Sequence, residues 1–452
     1  MSDTEKKTNR WLIAIMGTFL QLCLGTVYAW SYFQNPLKDA YHWTNSQTAW
    51  AFSLAICFLG LAAAWGGINL AKYGPKKLAM LGGACFGVGY LIGAYALSIH
   101  SLPLLYLGYG VIGGIGLGLG YVTPVATSVK WFPDKKGFVS GMVVMGFGFG
   151  ALLMSKVLAP YLMNMTGKNL VQVFAYLGVI FLVLTLIAGS FLKNPPAGFV
   201  PEGWTPPAPA AGAKTSTDEV FPLGKCLTSF KFTIMWIIFF CNITAGIAII
   251  GFQSPLLQDL YKKTDSRFTS YATIKGQGDA ASATDKTKLV DMTKQLAGFG
   301  ATLIAITSIF NGLGRFFWGG LSDKVGRIQA FRALMGSQIL VFLLLAKIGN
   351  PMLFGLLFSY ILLCYGGGFG TMPSFVGTVF GAKMMAQVYG VILTAWSAGG
   401  IVGPQIVAFI KDTYPKDASM YSFYFGTIIM AAGFLLSFLV NNDPFTMEKK
   451  QA

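Results

Sequence analysis

The sequence predicts an all-α polytopic membrane protein, with twelve transmembrane helices in two pseudo-symmetric six-helix bundles. Three observations predict it. Of 452 residues, 54% are hydrophobic and only 11% charged, with a mean hydropathy of +0.60, whereas soluble domains carry about 25% charged residues. The apolar residues gather into twelve runs, each longer than the roughly 18 residues that cross a hydrocarbon core. The runs come as six, a polar linker and six, and short motifs recur between the two sets.

The first six runs fall at 11–32, 47–70, 77–98, 103–129, 137–162 and 170–192, an N-terminal bundle within residues 1–192. Inside lipid each segment must satisfy its own backbone polar groups, so runs of this length read as helices. Residues 193–231 hold Pro195, Pro196, Pro201, Pro206, Pro207 and Pro209 among small and polar residues. That is the composition of a flexible cytoplasmic linker. The second six runs fall at 232–258, 295–320, 329–347, 350–378, 385–410 and 418–440, a C-terminal bundle within 232–452. Between its first two runs, residues 259–294 are polar, with Asp265, Asp279, Asp285 and Asp291 beside seven basic residues. This reads as an extracytoplasmic loop, an insertion rather than an ordered cap.

The net charge of +16 would point to nucleic acid in a soluble protein. Here Lys and Arg gather outside the runs on the side of the termini, once the long 259–294 segment is set aside. Both termini are therefore expected in the cytoplasm of a multi-pass protein of the cell (inner or plasma) membrane, with the lipid bilayer and not nucleic acid as its surroundings. Residues 1–10 lead straight into a full-length span, so no cleaved signal is expected. Five of the six cysteines lie in apolar runs and no two form C-x-x-C, which predicts free thiols.

The halves repeat. Gly67, Lys72 and Gly74 recur 252 residues later as Gly319, Lys324 and Gly326. Pro124, Gly141 and Gly150 recur 249 residues on as Pro373, Gly390 and Gly399. Residues 319–327, Gly-Gly-Leu-Ser-Asp-Lys-Val-Gly-Arg, resemble the signature loop of the major facilitator superfamily. In it, glycines let two helices approach while Asp323, Lys324 and Arg327 stay at the membrane face. The first-half copy, residues 66–74, has Ala71 where the aspartate is usual, so the first-half gating salt bridge is missing. The resemblance implies two bundles with substrate bound between them at the midplane.

A closer resemblance lies in Trp11, Gly25-Thr26-Val27-Tyr28-Ala29-Trp30, Asn35-Pro36-Leu37-Lys38 and Trp131-Phe132-Pro133-Asp134-Lys135-Lys136-Gly137. Residues 311–319, Asn-Gly-Leu-Gly-Arg-Phe-Phe-Trp-Gly, and Tyr389-Gly390 continue it. Together they are similar to the oxalate–formate antiporter family, itself related to the monocarboxylate carriers for lactate and pyruvate.

Arg315 stands eight residues before Asp323, about 12 Å along a helix and well inside a core of about 30 Å. An intramembrane Arg costs at least about 2.5 kcal/mol. No Asp or Glu lies in the interior of any run, Asp259 and Asp412 being nearest at run ends. A guanidinium without a counter-ion suits a carboxylate, held by two parallel hydrogen bonds; the competing reading is an Arg that snorkels or bonds backbone carbonyls. Asn311 lies one turn earlier on the same face. Related proton-coupled carriers carry an acid at that place, and Asn does not titrate. Asn311 is thus assigned to orienting the guanidinium or bonding substrate, with helix packing as the alternative.

The resemblance also implies an aromatic lining of Tyr28, Tyr121, Tyr365 and Phe369, which would exclude water and strengthen one ion pair. It further implies a second intramembrane cation, a lysine, on the eleventh helix. Alignment on Tyr389-Gly390 places Trp396 there, and one Arg with a Trp suits one carboxylate and an apolar tail. Lys156, four residues before Pro160, is the other candidate cation and is expected to snorkel outward.

Residues 108–113 spell G-x-G-x-x-G inside an apolar run, where helix packing is the reading rather than a dinucleotide. His42 and His100 fall between runs, so no catalytic triad, metal cluster or cofactor is predicted, and no enzyme. The expectation is a secondary active transporter of small organic anions, working as a monomer. Monocarboxylates such as lactate or pyruvate are its predicted substrates, exchanged for another anion or moved with a proton. Oxalate–formate exchange, with Lys156 as second cation, is the alternative, followed by a non-transporting anion sensor.

Overall fold

The computed structural model describes residues 9–132, 134, 136–196, 199–201 and 221–446. Pro206, Pro207 and Pro209 of the linker, Pro133, Lys135 and the chain ends at 1–8 and 447–452 lie outside the described residues. Among those described, twelve helices are long and apolar enough to cross a membrane. In the first half they are α1 (Arg10–Tyr41), α2 (Asn45–Tyr73), α3 (Pro75–Ser98), α4 (Leu102–Ser128), α5 (Gly141–Met165) and α6 (Leu170–Ser190). The second half has α7 (Phe230–Ile250), α8 (Ala283–Val325), α9 (Arg327–Leu345), α10 (Pro351–Phe380), α11 (Gln387–Thr413) and α12 (Ala418–Leu439). An even number of spans brings Arg10 and Leu439 to one face, called here the terminal face; the other is the far face.

Local chemistry sets the helix ends. Asn9, Asn169, Ser229, Ser282 and Asn350 each cap a first turn by accepting from a backbone N–H, and Thr44 with Gln47 forms a capping box. On the terminal face, α2–α3, α8–α9 and α10–α11 turn at one glycine each. Gly74, Gly326 and Gly381 have φ of 78°, 93° and 86°, a left-handed region that other residues enter only at a cost.

Each half packs around its own glycines, and the halves meet where α2 lies on α11 and α5 on α8. A Cβ at Gly60 of α2 would sit 2.3 Å from Ser397 Oγ and 2.6 Å from the Leu393 carbonyl of α11. A Cβ at Gly148 of α5 would sit 2.8 Å from Gly312 Cα of α8. On the far face polar groups join the halves. The Asp412 carboxylate accepts from Asn45 N at 3.1 Å, Asn45 Nδ2 at 2.8 Å and Ser46 N at 3.0 Å, capping α2 from the opposite half. Asn35 Nδ2 donates to Gln258 Oε1 at 3.1 Å, and Lys275 pairs with Asp39 at 3.0 Å.

The 259–294 segment differs from the expected loop. A helix at Gln253–Thr264 carries on past α7, a short one follows at Tyr271–Gln277, and α8 is already helical from Ala283. At 43 residues, α8 runs about 65 Å, twice the core thickness. Phe268, Ile274, Ala281, Met292 and Leu296 form a separate buried apolar cluster. The segment is an ordered cap: widely spaced apolar residues in a polar stretch bury each other once two helices fold together.

Candidate functional site

The site grows from the contact between α8 and α10. A Cβ at Gly314 would sit 1.9 Å from the Leu363 carbonyl, at Gly366 2.1 Å from that of Asn311, and at Gly370 2.3 Å from that of Arg315. Three glycines therefore let the two backbones touch and hold the Arg315 backbone against α10. Arg315 is 4% exposed and is the one charged residue among the buried described residues. Its guanidinium lies 5.2 Å over the Phe369 ring, and Nη1 donates to Tyr121 Oη at 3.4 Å, a long bond. Nε and Nη2 have no hydrogen-bond partner among the described residues. Neither snorkelling nor backbone carbonyls satisfy it.

Aromatic rings gather around the guanidinium. Tyr28 and Tyr365 share a hydroxyl–hydroxyl hydrogen bond of 2.8 Å. Trp396 packs against Phe369 at 4.6 Å, Tyr121 at 5.2 Å and Tyr28 at 6.4 Å between ring centroids. The structure thus brings Arg315, Tyr28, Tyr121, Tyr365, Phe369 and Trp396 together from α1, α4, α8, α10 and α11. Asn311 is buried beside them with Oδ1 unpaired among the described residues. A cavity of about 10 Å³ lies against it, lined by Tyr28, Gln253, Thr307 and Ser308, room for one water.

One ring of the cage was not among the expected site residues. Phe147 of α5 closes the cage, 5.2 Å from both Tyr28 and Tyr121 and 5.9 Å from Trp396. Its signal was the Gly146-Phe147-Gly148 triplet: Gly146 abuts the Thr18 carbonyl and Gly148 abuts Gly312, so the ring between them enters the interior.

Lys156 does not join the site. It is exposed on the flank, where Nζ donates to Thr302 Oγ1 at 2.7 Å. This removes the second cation that the oxalate–formate alternative assigned to it. The signature-loop residues stand apart, on the terminal face. Asp323 pairs with Arg327 at 2.5 Å, and Arg327 Nη1 donates to Ser322 Oγ at 2.5 Å. Gly319 lies near the Gly370 carbonyl and Lys324 is exposed in the last turn of α8. In the first-half copy Lys72 lies over the Tyr73 ring at 5.3 Å, beside Gly74.

The sequence profile of the Major Facilitator Superfamily matches residues 12–404. The chain belongs to that superfamily. This major facilitator protein is 26% identical over 413 residues to the oxalate:formate antiporter of Oxalobacter formigenes, covering 90% of this chain and 86% of that one. It is also 26% identical over 504 aligned positions to apicoplast pyruvate carrier 1 of Toxoplasma gondii, covering 92% and 86% of the two chains. Among solved structures it resembles a bacterial homolog of the human lysosomal transporter Spinster, inward-facing and unoccupied. The TM-score is 0.63 at 14% identity, over 96% of this chain and 97% of that one, a likeness of fold alone. As a major facilitator transporter it is a multi-pass membrane protein of a class that is not enzymatic.

Proposed function

We propose that the protein is a secondary active carrier of small monocarboxylates, such as lactate or pyruvate, in the cell membrane with both termini cytoplasmic. The observation that carries this reading is the Nε/Nη2 edge of Arg315, two N–H donors side by side, buried and unpaired among the described residues, on a guanidinium that lies over Phe369. That edge matches the two oxygens of one carboxylate. The rings around it exclude water, which strengthens the single ion pair.

Alternating access follows from the cost of an unpaired charge. An empty closed site buries the guanidinium without a counter-ion, and a bound carboxylate relieves that cost in the occluded state. Occupied carriers therefore switch faster than empty ones, which favours exchange of one anion for another. No Asp or Glu occurs among the buried described residues, so a proton that accompanies transport travels with the substrate. Tyr28, Tyr121, Tyr365, Phe369 and Trp396 shape the cavity, and Asn311 orients substrate or its attendant water. The loop residues Gly319, Asp323, Lys324, Gly326 and Arg327, with Lys72 and Gly74, act at the terminal face as the helices rock. Similarity to the Oxalobacter antiporter favours oxalate–formate exchange as the second reading.

The test is uptake of labelled L-lactate into proteoliposomes loaded with lactate, formate, oxalate or nothing, with Arg315→Ala beside wild type. Loss of one partner of a buried charged pair costs about 2–5 kcal/mol, so uptake is expected to fall at least about 30-fold in the variant. Uptake only against internal oxalate or formate supports the second reading. Undiminished flux through Arg315→Ala overturns both.

A further inference from the structure

The cage around Arg315 holds another unused donor. Trp396 is 0% exposed, and its indole Nε1 has no hydrogen-bond partner among the described residues. Buried indole N–H groups are normally paired, because leaving one unsatisfied costs about 1–3 kcal/mol. The ring is not free to turn toward a better partner. It sits in the first turn after α11 is interrupted at Leu393, with Trp396 N donating to the Leu393 carbonyl at 2.9 Å. Phe369, Tyr121 and Phe147 pack around its faces and edge.

We propose that the Trp396 N–H is a specificity-determining donor that binds a second, neutral oxygen of the substrate while Arg315 holds the carboxylate. This rests on the carboxylate reading of Arg315 given above. The charge count supports it. One buried cation neutralises one carboxylate, and a second carboxylate in this apolar cage would stay uncompensated. An indole N–H adds a directed bond without adding charge. The favoured ligand is therefore a monoanion with an oxo or hydroxyl oxygen on the carbon next to the carboxylate. A plain short-chain acid leaves the N–H unsatisfied, and a site whose polar group is left unpaired discriminates against the analogue.

The experiment compares pyruvate with propionate, which lacks only that oxygen, as competitors of labelled lactate exchange in proteoliposomes. Wild type is expected to favour pyruvate by about tenfold, the worth of one hydrogen bond. Trp396→Phe keeps an aromatic ring and removes the N–H, so the ratio of pyruvate to propionate affinity should collapse to about one, pyruvate losing more than propionate. A ratio that survives in Trp396→Phe, or a parallel loss for both acids, overturns the proposal. Arg315→Ala separates the two claims: loss of both competitors leaves the carboxylate reading standing whatever Trp396→Phe does, and retention of both removes it. Should Trp396→Phe not fold, ¹⁵N-indole spectra of the wild-type protein decide. One of the ten tryptophan N–H resonances should shift with pyruvate and not with propionate, and no such difference overturns the assignment.

Discussion

Helices α2 and α8 are pseudo-equivalent, offset by 252 residues, and differ most where chemistry is needed. Gly60 matches Gly312, Ala63 matches Arg315, Ala71 matches Asp323 and Gly74 matches Gly326. The joints are alike, with φ of 78° at Gly74 and 93° at Gly326. Both Gly60 and Gly312 lie against the other half. One turn further on, however, Ala63 is fully buried among apolar neighbours and Arg315 is buried in the aromatic cage. The scaffold is symmetric because rocking needs two matching bundles. The charge is not: on the proposed reading one guanidinium matches one carboxylate, and a second would stand unpaired in the core.

The largest test of that contrast is to exchange the two positions. In Ala63→Arg/Arg315→Ala, uptake should stay as low as in Arg315→Ala alone. The new Arg would be buried on α2, where the Ala63 backbone lies 2.7 Å from the place of a Cβ on Gly118. An unpaired buried charge costs about 3–5 kcal/mol, so the melting temperature in detergent should fall as well. Recovered uptake would mean that either bundle can host the cation.

A smaller effect separates the two glycines. Gly60→Ala places a methyl against the Leu393 backbone, which cannot move aside, whereas the nearest atom to a Cβ on Gly312 is 3.4 Å away in the flexible Met145 side chain. Thermal melts should show about 1–3 kcal/mol lost in Gly60→Ala and far less in Gly312→Ala. Equal losses would restore the symmetry.

The smallest effect concerns the loops. Asp323→Ala removes an exposed i,i+4 pair with Arg327 and leaves the residue type that the first half already carries at Ala71. Stability should change by no more than about 0.5 kcal/mol. A larger drop in the melt would show that Asp323 holds more than its neighbour.

Much of this was legible in the chain. Span lengths follow from the thickness of hydrocarbon, and each predicted run lies on a helix of the structure. Arg315 was found by its distance from Asp323 and the lack of any intramembrane acid, both properties of the sequence. Phe147 was not found, because in a helix that is apolar all round periodicity cannot separate the face toward lipid from the face toward the partner bundle. Lys156, expected to snorkel outward, does so: it is exposed and donates to Thr302 Oγ1. The helices within 259–294 were not legible for another reason: Phe268, Ile274, Ala281 and Met292 lie far apart in a polar stretch and bury one another, with Leu296, only once folded.

Composition, run length and the repeat determined that this chain crosses the membrane twelve times as two related bundles, because the bilayer acts on each segment separately. They also place Arg315 at depth with no acid in the interior of any run. What only the tertiary structure decided is what that cation faces. Three glycine contacts between α8 and α10 set Arg315 over Phe369, and Tyr28, Tyr121, Phe147 and Trp396 come from four other helices to meet it. The far-face cap of α2 by Asp412 is likewise a contact across 367 residues of chain. Such meetings depend on how closely helices approach, which is fixed by small side chains at several contacts at once and by no single stretch of sequence.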